Sequence, residues 1–198
     1  MLNLAVIAGS GRPDSQSKKV AQYLLARSQA LQIASPDSQL IDLGGDPLPL
    51  WPSEDSQQRW PVIEQQLCKA EALIVISPEW HGMAAPAIKN FFLYANQALL
   101  GHKATLLVGI SAGVGGAYPI SELRASGYKN CRIGYIPEHL IIRQVETVLN
   151  QAEPESDADQ RIRTRADYAL KILHAYATAL TPIREALLQQ QPNFATGM

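Results

Sequence analysis

The chain is short of cysteine, of charge imbalance and of long apolar runs, and each shortage removes a class of protein. Two cysteines occur in 198 residues, Cys68 and Cys131, far apart and outside any CxxC or Cys/His cluster. That carries no zinc signature and reads as two reduced thiols in a cytosolic protein. Lys and Arg number 17 against 18 Asp and Glu, a formal net charge of -1. Overall basicity that would hold nucleic acid is therefore excluded, as is a strongly acidic, disordered chain. No run approaches the roughly 20 apolar residues that a membrane span needs. The opening MLNLAVIAGSGR is apolar only briefly and has no Lys or Arg before that stretch, unlike a signal peptide. We therefore expect a soluble, cytoplasmic protein with neither membrane nor nucleic-acid partners. Internal repeats are missing too. The only low-complexity hint, Gln189-Gln190-Gln191, suggests a frayed tail over about residues 190–198.

What is present is a 46% hydrophobic chain whose length suits one domain, residues 1–198, with its own core. Residues 2–8 form a nearly continuous apolar run, as a strand buried on both faces should. A Gly/Ser-rich turn follows, then a helical pattern with Val20, Leu24, Leu25 and Leu31 on one side. Further strands are expected over 39–43, 72–77, 105–110 and 131–135. A Pro- and Gly-bearing loop over 44–56 precedes a helix to about residue 70. Helices are expected over 85–100, 120–128 and 157–180, the last broken at Thr181-Pro182. This alternation specifies an α/β fold: a parallel five-stranded sheet with helices on both faces. Right-handed crossovers then bring every strand-to-helix loop to the carboxyl edge, where ligands bind such sheets.

Three loops of unusual composition fall on that edge. The first, Gly9-Ser10-Gly11-Arg12-Pro13-Asp14-Ser15-Gln16-Ser17, lies between strand and helix. Free N–H groups at a helix start, three hydroxyls (Ser10, Ser15, Ser17) and the Arg12 guanidinium suit a phosphate. Asp14 stands where the last glycine of G-x-G-x-x-G belongs, and the GK[ST] of a Walker A loop is missing. A terminal phosphate monoester is therefore better supported than a dinucleotide or ATP. A plain turn with Ser15 as helix cap is the alternative. The second loop is Pro78-Glu79-Trp80-His81-Gly82-Met83. Pro78 should end the strand and turn the chain out. Gly82 permits close backbone approach to a flat ligand, and Trp80 and His81 offer aromatic edges. A packed Trp80 and a surface His81 are the bland alternative. The third loop, Ser111-Ala112-Gly113-Val114-Gly115-Gly116-Ala117, exposes backbone donors and acceptors that could read a ring edge, or simply needs positive φ.

One pattern competes. Gly109-Ile110-Ser111-Ala112-Gly113 matches the G-x-S-x-G of hydrolases, with Asp167 and His174 downstream. Both partners, however, fall inside a long helical pattern, and Pro119 and the glycines delay the helix that should start at the nucleophile.

Taken together, the motifs resemble those of the flavodoxin-like NADPH-dependent FMN reductase family. GSGRPDSQS is similar to the family's GSxRxxSxN/S phosphate loop, SPEWHGMAAPAIKNF to its PEYNxSxPGxLKN segment, and SAGVGGA to its glycine-rich flavin loop. DLGGDPLPLW resembles the acidic, Leu-Pro-rich stretch after the family's second strand. The similarity runs from about Leu2 to Arg143 in the family's order. It implies a flavodoxin-like three-layer sandwich. It also implies that Ser10, Arg12, Ser15, Gln16 and Ser17 hold the FMN phosphate. Pro78, Glu79, Trp80, His81 and Gly82 would run along the isoalloxazine, largely through backbone, and Ser111, Gly113, Gly115 and Gly116 would close its other side. Trp80 stands where the family usually has Tyr and His81 where it has Asn. Leu93-Tyr94 replaces an Asp-Trp pair.

The resemblance further implies hydride transfer from NAD(P)H to bound FMN, then reduction of a small acceptor: flavin, quinone, azo or nitro compound, or a chromate-like oxyanion. No acid–base side chain and no metal is required. With little room for a separate nucleotide domain, donor and acceptor would take turns in one cleft. The alternative is a flavodoxin-type electron carrier; its usual acidity and Arg-free phosphate loop are both missing here. Phe91, Phe92, Leu93, Tyr94, Leu99 and Leu100 make the 85–100 helix apolar beyond one stripe, as deep burial or a subunit interface would. With the resemblance, this favours a homodimer or homotetramer. Trp51 and Trp60 flank the long loop after the second strand and would pack beneath it or line a neighbour's site.

Overall fold

The computed structural model describes residues 1–53 and 59–190. Part of the expected long loop and the expected frayed tail beyond Gln190 lie outside them. Five parallel strands form one sheet in the order β2-β1-β3-β5-β6: β1 Leu4–Ala8, β2 Gln39–Asp42, β3 Ala72–Trp80, β5 Ala104–Ile110 and β6 Gly134–Ile142. The two-residue strand β4, Met83–Ala84, runs back antiparallel against the end of β3. The expected five-stranded sheet with helices on both faces is present.

Alternation along the strands divides two cores. Leu4, Val6, Ile74, Ile76, Leu106 and Val108 face α1 (Gln16–Ala30) and α7 (Asp157–Gln189). Ala5, Ile7, Leu73, Val75 and Leu107 face α2 (Trp60–Lys69), α3 (Pro86–Tyr94), α4 (Gln97–Leu100), α5 (Ala117–Ala125) and α6 (Tyr128–Cys131). Both faces of the central strands are buried, which is why they read as apolar runs rather than alternating ones. Leu170 and Leu173 of α7 are fully buried, each contributing about 2 kcal/mol of apolar burial. Among the described residues no helix is long and apolar enough to cross a membrane.

Five boundaries differ from expectation, each for a physical reason. The helix expected over 120–128 is α5, Ala117–Ala125: Gly116 takes φ 98° before it and Ser126 is extended after it. The last strand begins at Gly134, not residue 131: Cys131 closes α6 and Arg132 takes φ 52°. The 85–100 helix is two, because Ala95 is extended and Asn96 caps α4 by accepting from the Leu99 N–H at 3.2 Å. β3 continues through Pro78, which pairs with Ile110. β1 has by then ended opposite Ile76, so a residue without an N–H is tolerated on that side. Finally, α7 runs unbroken through Pro182. The cost of an interior proline, about 3 kcal/mol, is offset by anchoring of the last turns: Arg184 donates to the carbonyls of Gly101 (2.9 Å) and Ala98 (2.7 Å).

Candidate functional site

The first wall is the turn from β1 into α1. It lies hard against the sheet: the Gly9 N–H donates to the Ile76 carbonyl at 2.8 Å, and a Cβ on Gly9 would stand 2.4 Å from that oxygen. Gly44 buttresses it from below, where a Cβ would stand 2.0 Å from the Arg12 carbonyl oxygen. Asp14 takes φ 48°, a left-handed position that Asp tolerates better than most residues. Ser15 caps α1, accepting from the Lys18 N–H at 3.2 Å. Ser10 and Ser17 are buried. The Ser17 hydroxyl and Gln16 Oε1 are buried without a partner. Lys18 is turned away, bridging Asp42 and Asp14 at 3.4 and 3.5 Å; the bond to Asp42 chiefly raises its pKa. Arg12 instead stacks over the Trp80 indole, 4.0 Å from the ring centroid.

The second wall is the β3–β4 hairpin. Trp80 pairs with Met83 across a two-residue turn in which His81 (φ 50°) and Gly82 (φ 74°) are both left-handed. The glycine loop forms the third wall. Its Gly116 and Tyr118 N–H groups donate to Glu79 Oε2 at 2.6 and 3.3 Å. A fourth wall follows β6: Lys19 donates to the carbonyls of Val145 and Val148 at 2.6 and 2.9 Å, pinning that segment to α1.

These walls enclose a cleft of about 480 Å³ at the carboxyl edge. Of the residues named from sequence, Ser10, Arg12, Ser15, Gln16, Ser17, Pro78, Glu79, Trp80 and Ser111 line it together. His81 and Gly82 form the exposed hairpin turn beside it, and Gly113, Gly115 and Gly116 of the glycine loop are not among the residues that line it. Pro13, Asp14 and Ala112, from the loops read in the sequence, also line the cleft, as do Ile110, Val145 and Glu146, which were not named as site residues. The signal for Val145 and Glu146 was positional only, since any segment leaving a parallel strand reaches this edge. A larger groove of about 680 Å³ between α3–α4 and α5–α6 is walled mainly by apolar groups such as Phe92, Leu93 and Leu123. Of the buried polar atoms without a partner among the described residues, Gln16 Oε1 and Ser17 Oγ belong to residues that line the smaller cleft, beside the start of α1, which makes it the candidate site.

The hydrolase arrangement does not assemble. Asp167 is taken by Arg27, whose Nε and Nη2 donate to it at 2.6 and 2.5 Å. His174 lies in the middle of α7, and α5 begins at Ala117, well past Ser111, so no helix starts at the serine.

Residues 2–147 match the family model for NADPH-dependent FMN reductase. The chain belongs to this family. A 2-hydroxy-1,4-benzoquinone reductase from a Burkholderia species is 28% identical over 170 residues, covering 81% of this chain and 85% of the relative. An NADPH azoreductase from a Bacillus species is 27% identical over 129 residues, covering 63% and 68%. Among solved structures, a flavoenzyme NAD(P)H:(acceptor) oxidoreductase from Paracoccus denitrificans superposes with a TM-score of 0.61 at 21% identity, over 93% of this chain and 99% of that one. At that identity the likeness establishes the flavodoxin-like fold. The family's members are oxidoreductases, and the chain is one of them.

Proposed function

We propose that the cleft binds FMN and that the protein passes hydride equivalents from NAD(P)H to a small acceptor of the quinone or azo class. The observation that carries this is the pair of unsatisfied atoms at the start of α1. A buried hydroxyl without an acceptor and a buried carbonyl without a donor each cost about 1–3 kcal/mol. FMN fits both, because its phosphate accepts and its ribityl hydroxyls donate. Ser17 then donates to phosphate, and Gln16 accepts from the polyol. Ser10, Ser15 and Arg12 complete the phosphate loop, with the positive end of α1 behind them. Pro78, Glu79, Trp80, His81 and Gly82, with Ser111, Gly113, Gly115 and Gly116, flank the ring, largely through backbone and through the positions they impose.

When bound, FMN supplies the two-electron chemistry; the protein binds, orients and shields. No side chain in the cleft needs to move a proton for hydride transfer, so no catalytic residue is assigned. Arg12 has two stations: on Trp80, as observed, and on the phosphate. The names of the relatives support a quinone or azo acceptor, and a cleft of this size favours donor and acceptor alternating in it.

A homodimer or homotetramer in the cytoplasm completes the reading. It is supported by exposed apolar side chains at α3 and the loop packed against it: Leu93 is 55% exposed, and Leu50 and Trp51 are 78% and 47% exposed. The Trp51 N–H donates to Asn90 of α3 at 2.9 Å, while Trp60 packs inward, stacked on Tyr94.

The test is to load the purified chain with FMN and add NADPH without oxygen. Loss of the flavin's visible absorbance, restored by a quinone, is expected. Persistent absorbance would overturn the reductase reading in favour of an electron carrier.

A further inference from the structure

We infer that Glu79 is the positioning residue of this cleft: its carboxylate fixes where the glycine loop stands. The inference rests on the reading of the cleft as an FMN site, and its geometry is independent of any ligand.

The glycines after β5 invite the idea that bare backbone is there to meet a ring. Their surroundings assign them another task. A Cβ on Gly115 would lie 2.5 Å from Glu79 Oε1 and 3.0 Å from its carboxyl carbon. Gly116 takes φ 98°, and a Cβ on Gly109 of β5 would lie 2.0 Å from the Gly116 carbonyl oxygen. The loop is thus folded over one carboxylate and seated on one strand glycine. Glu79 Oε2 accepts from the Gly116 N–H at 2.6 Å and the Tyr118 N–H at 3.3 Å. These belong to the cap and first turn of α5, among the N–H groups a helix leaves unpaired, at its positive end.

The hairpin that carries Glu79 is itself tied to α5 in the reverse sense. Glu122 of α5 accepts from the Ala84 N–H of β4 at 2.6 Å and pairs with Lys89 of α3 at 2.8 Å; the Lys89 bond holds its carboxyl below the usual range. The Ala85 N–H is held by Ser77 Oγ at 3.1 Å. Two opposed carboxylates therefore join hairpin, glycine loop and α5 into one body. That body supplies Pro78, Trp80, Ser111 and Ala112 to the lining of the cleft. Because Glu79 already accepts two N–H groups, it acts on a bound ligand through the loop.

Three variants test this: Glu79→Ala, Glu79→Gln and Gly115→Ala. Gly115 does not hold a positive φ, and its nearest obstacle is the movable end of the Glu79 side chain. An alanine there displaces the carboxylate with little backbone strain. The first readout is amide hydrogen exchange in the FMN-free chain. Glu79→Ala should speed exchange at Gly116 and Tyr118 by about tenfold or more while the β1, β3 and β5 amides stay protected. Glu79→Gln keeps an acceptor oxygen and should restore most of the protection. The second readout is FMN titration, where Glu79→Ala and Gly115→Ala should each weaken binding by about tenfold. The double variant should be no weaker than either single one, since both break the same contact.

Unchanged exchange at Gly116 and Tyr118 in Glu79→Ala would overturn the latch, whatever the ligand. Faster exchange with FMN affinity intact would overturn the positioning role. A parent chain that fails to bind FMN would sink the flavin reading and the positioning role with it, and the exchange result would still judge the latch.

Discussion

On the α1 side of the cleft, Ser17 Oγ and Gln16 Oε1 are buried without partners and Arg12 rests on an indole face. On the α5 side, the N–H groups of Gly116 and Tyr118 are already taken by Glu79, and the glycines fit carboxylate and strand at contact distance. One wall is left for a ligand to finish; the other is finished in advance. The division suits the two ends of a flavin nucleotide. A phosphate can supply several charge-assisted bonds to an unfinished wall. A flat ring offers few such bonds and is better met by a surface that is already rigid.

Four perturbations would break or sharpen this contrast. The largest effect is expected for Gly109→Ala. Its Cβ would meet backbone, not a movable side chain, so a loss of about 3 kcal/mol in urea unfolding is expected. A loss well under 1 kcal/mol would mean that the loop does not sit on β5 as described. Next is Arg12→Ala, expected to weaken FMN by about thirtyfold, or about 2 kcal/mol, while riboflavin is little affected. Equal weakening of both would move Arg12 from the phosphate to the ring.

The third lies outside both walls. Lys103, buried just before β5, donates to the Leu67 carbonyl at 2.6 Å, and burial pushes its amine down from 10.5 to about 7. Between those values unfolding takes up a proton, so stability should rise with pH, by about 1.5 kcal/mol from pH 7 to 8.5. Lys103→Met should abolish that rise and leave FMN affinity unchanged; a retained rise would assign it to other groups. The smallest effect is also the most diagnostic. Ser17→Ala removes an unsatisfied buried hydroxyl, so the ligand-free chain should keep its stability or gain about 1 kcal/mol while FMN binding weakens. A fall in both would show that Ser17 was already partnered.

The contrast also marks where sequence reading succeeds. The α1 wall was legible because its chemistry is local: Ser10, Arg12, Ser15, Gln16 and Ser17 are near neighbours in the chain, and a strand-to-helix turn brings them together. The α5 wall was legible only as composition. That Gly115 serves Glu79, 36 positions earlier, follows from pairing of β3 with β5, which no local pattern encodes. Val145 and Glu146 were missed for the same reason. So was the start of β6, because a one-sided edge strand carrying Pro137, Glu138 and His139 does not read as an apolar run. Pro182 misled in the opposite direction: local propensity argued for a break, and Arg184's bonds across to Gly101 and Ala98 overrode it.

The most direct test of the unfinished wall is to titrate the same preparation with FMN and with riboflavin, which differ only by the phosphate. Two or more charge-assisted bonds at the start of α1 should make FMN tighter by on the order of a hundredfold, with the difference shrinking in Ser17→Ala. Equal affinities for the two flavins would contradict the assignment of that wall to a phosphate.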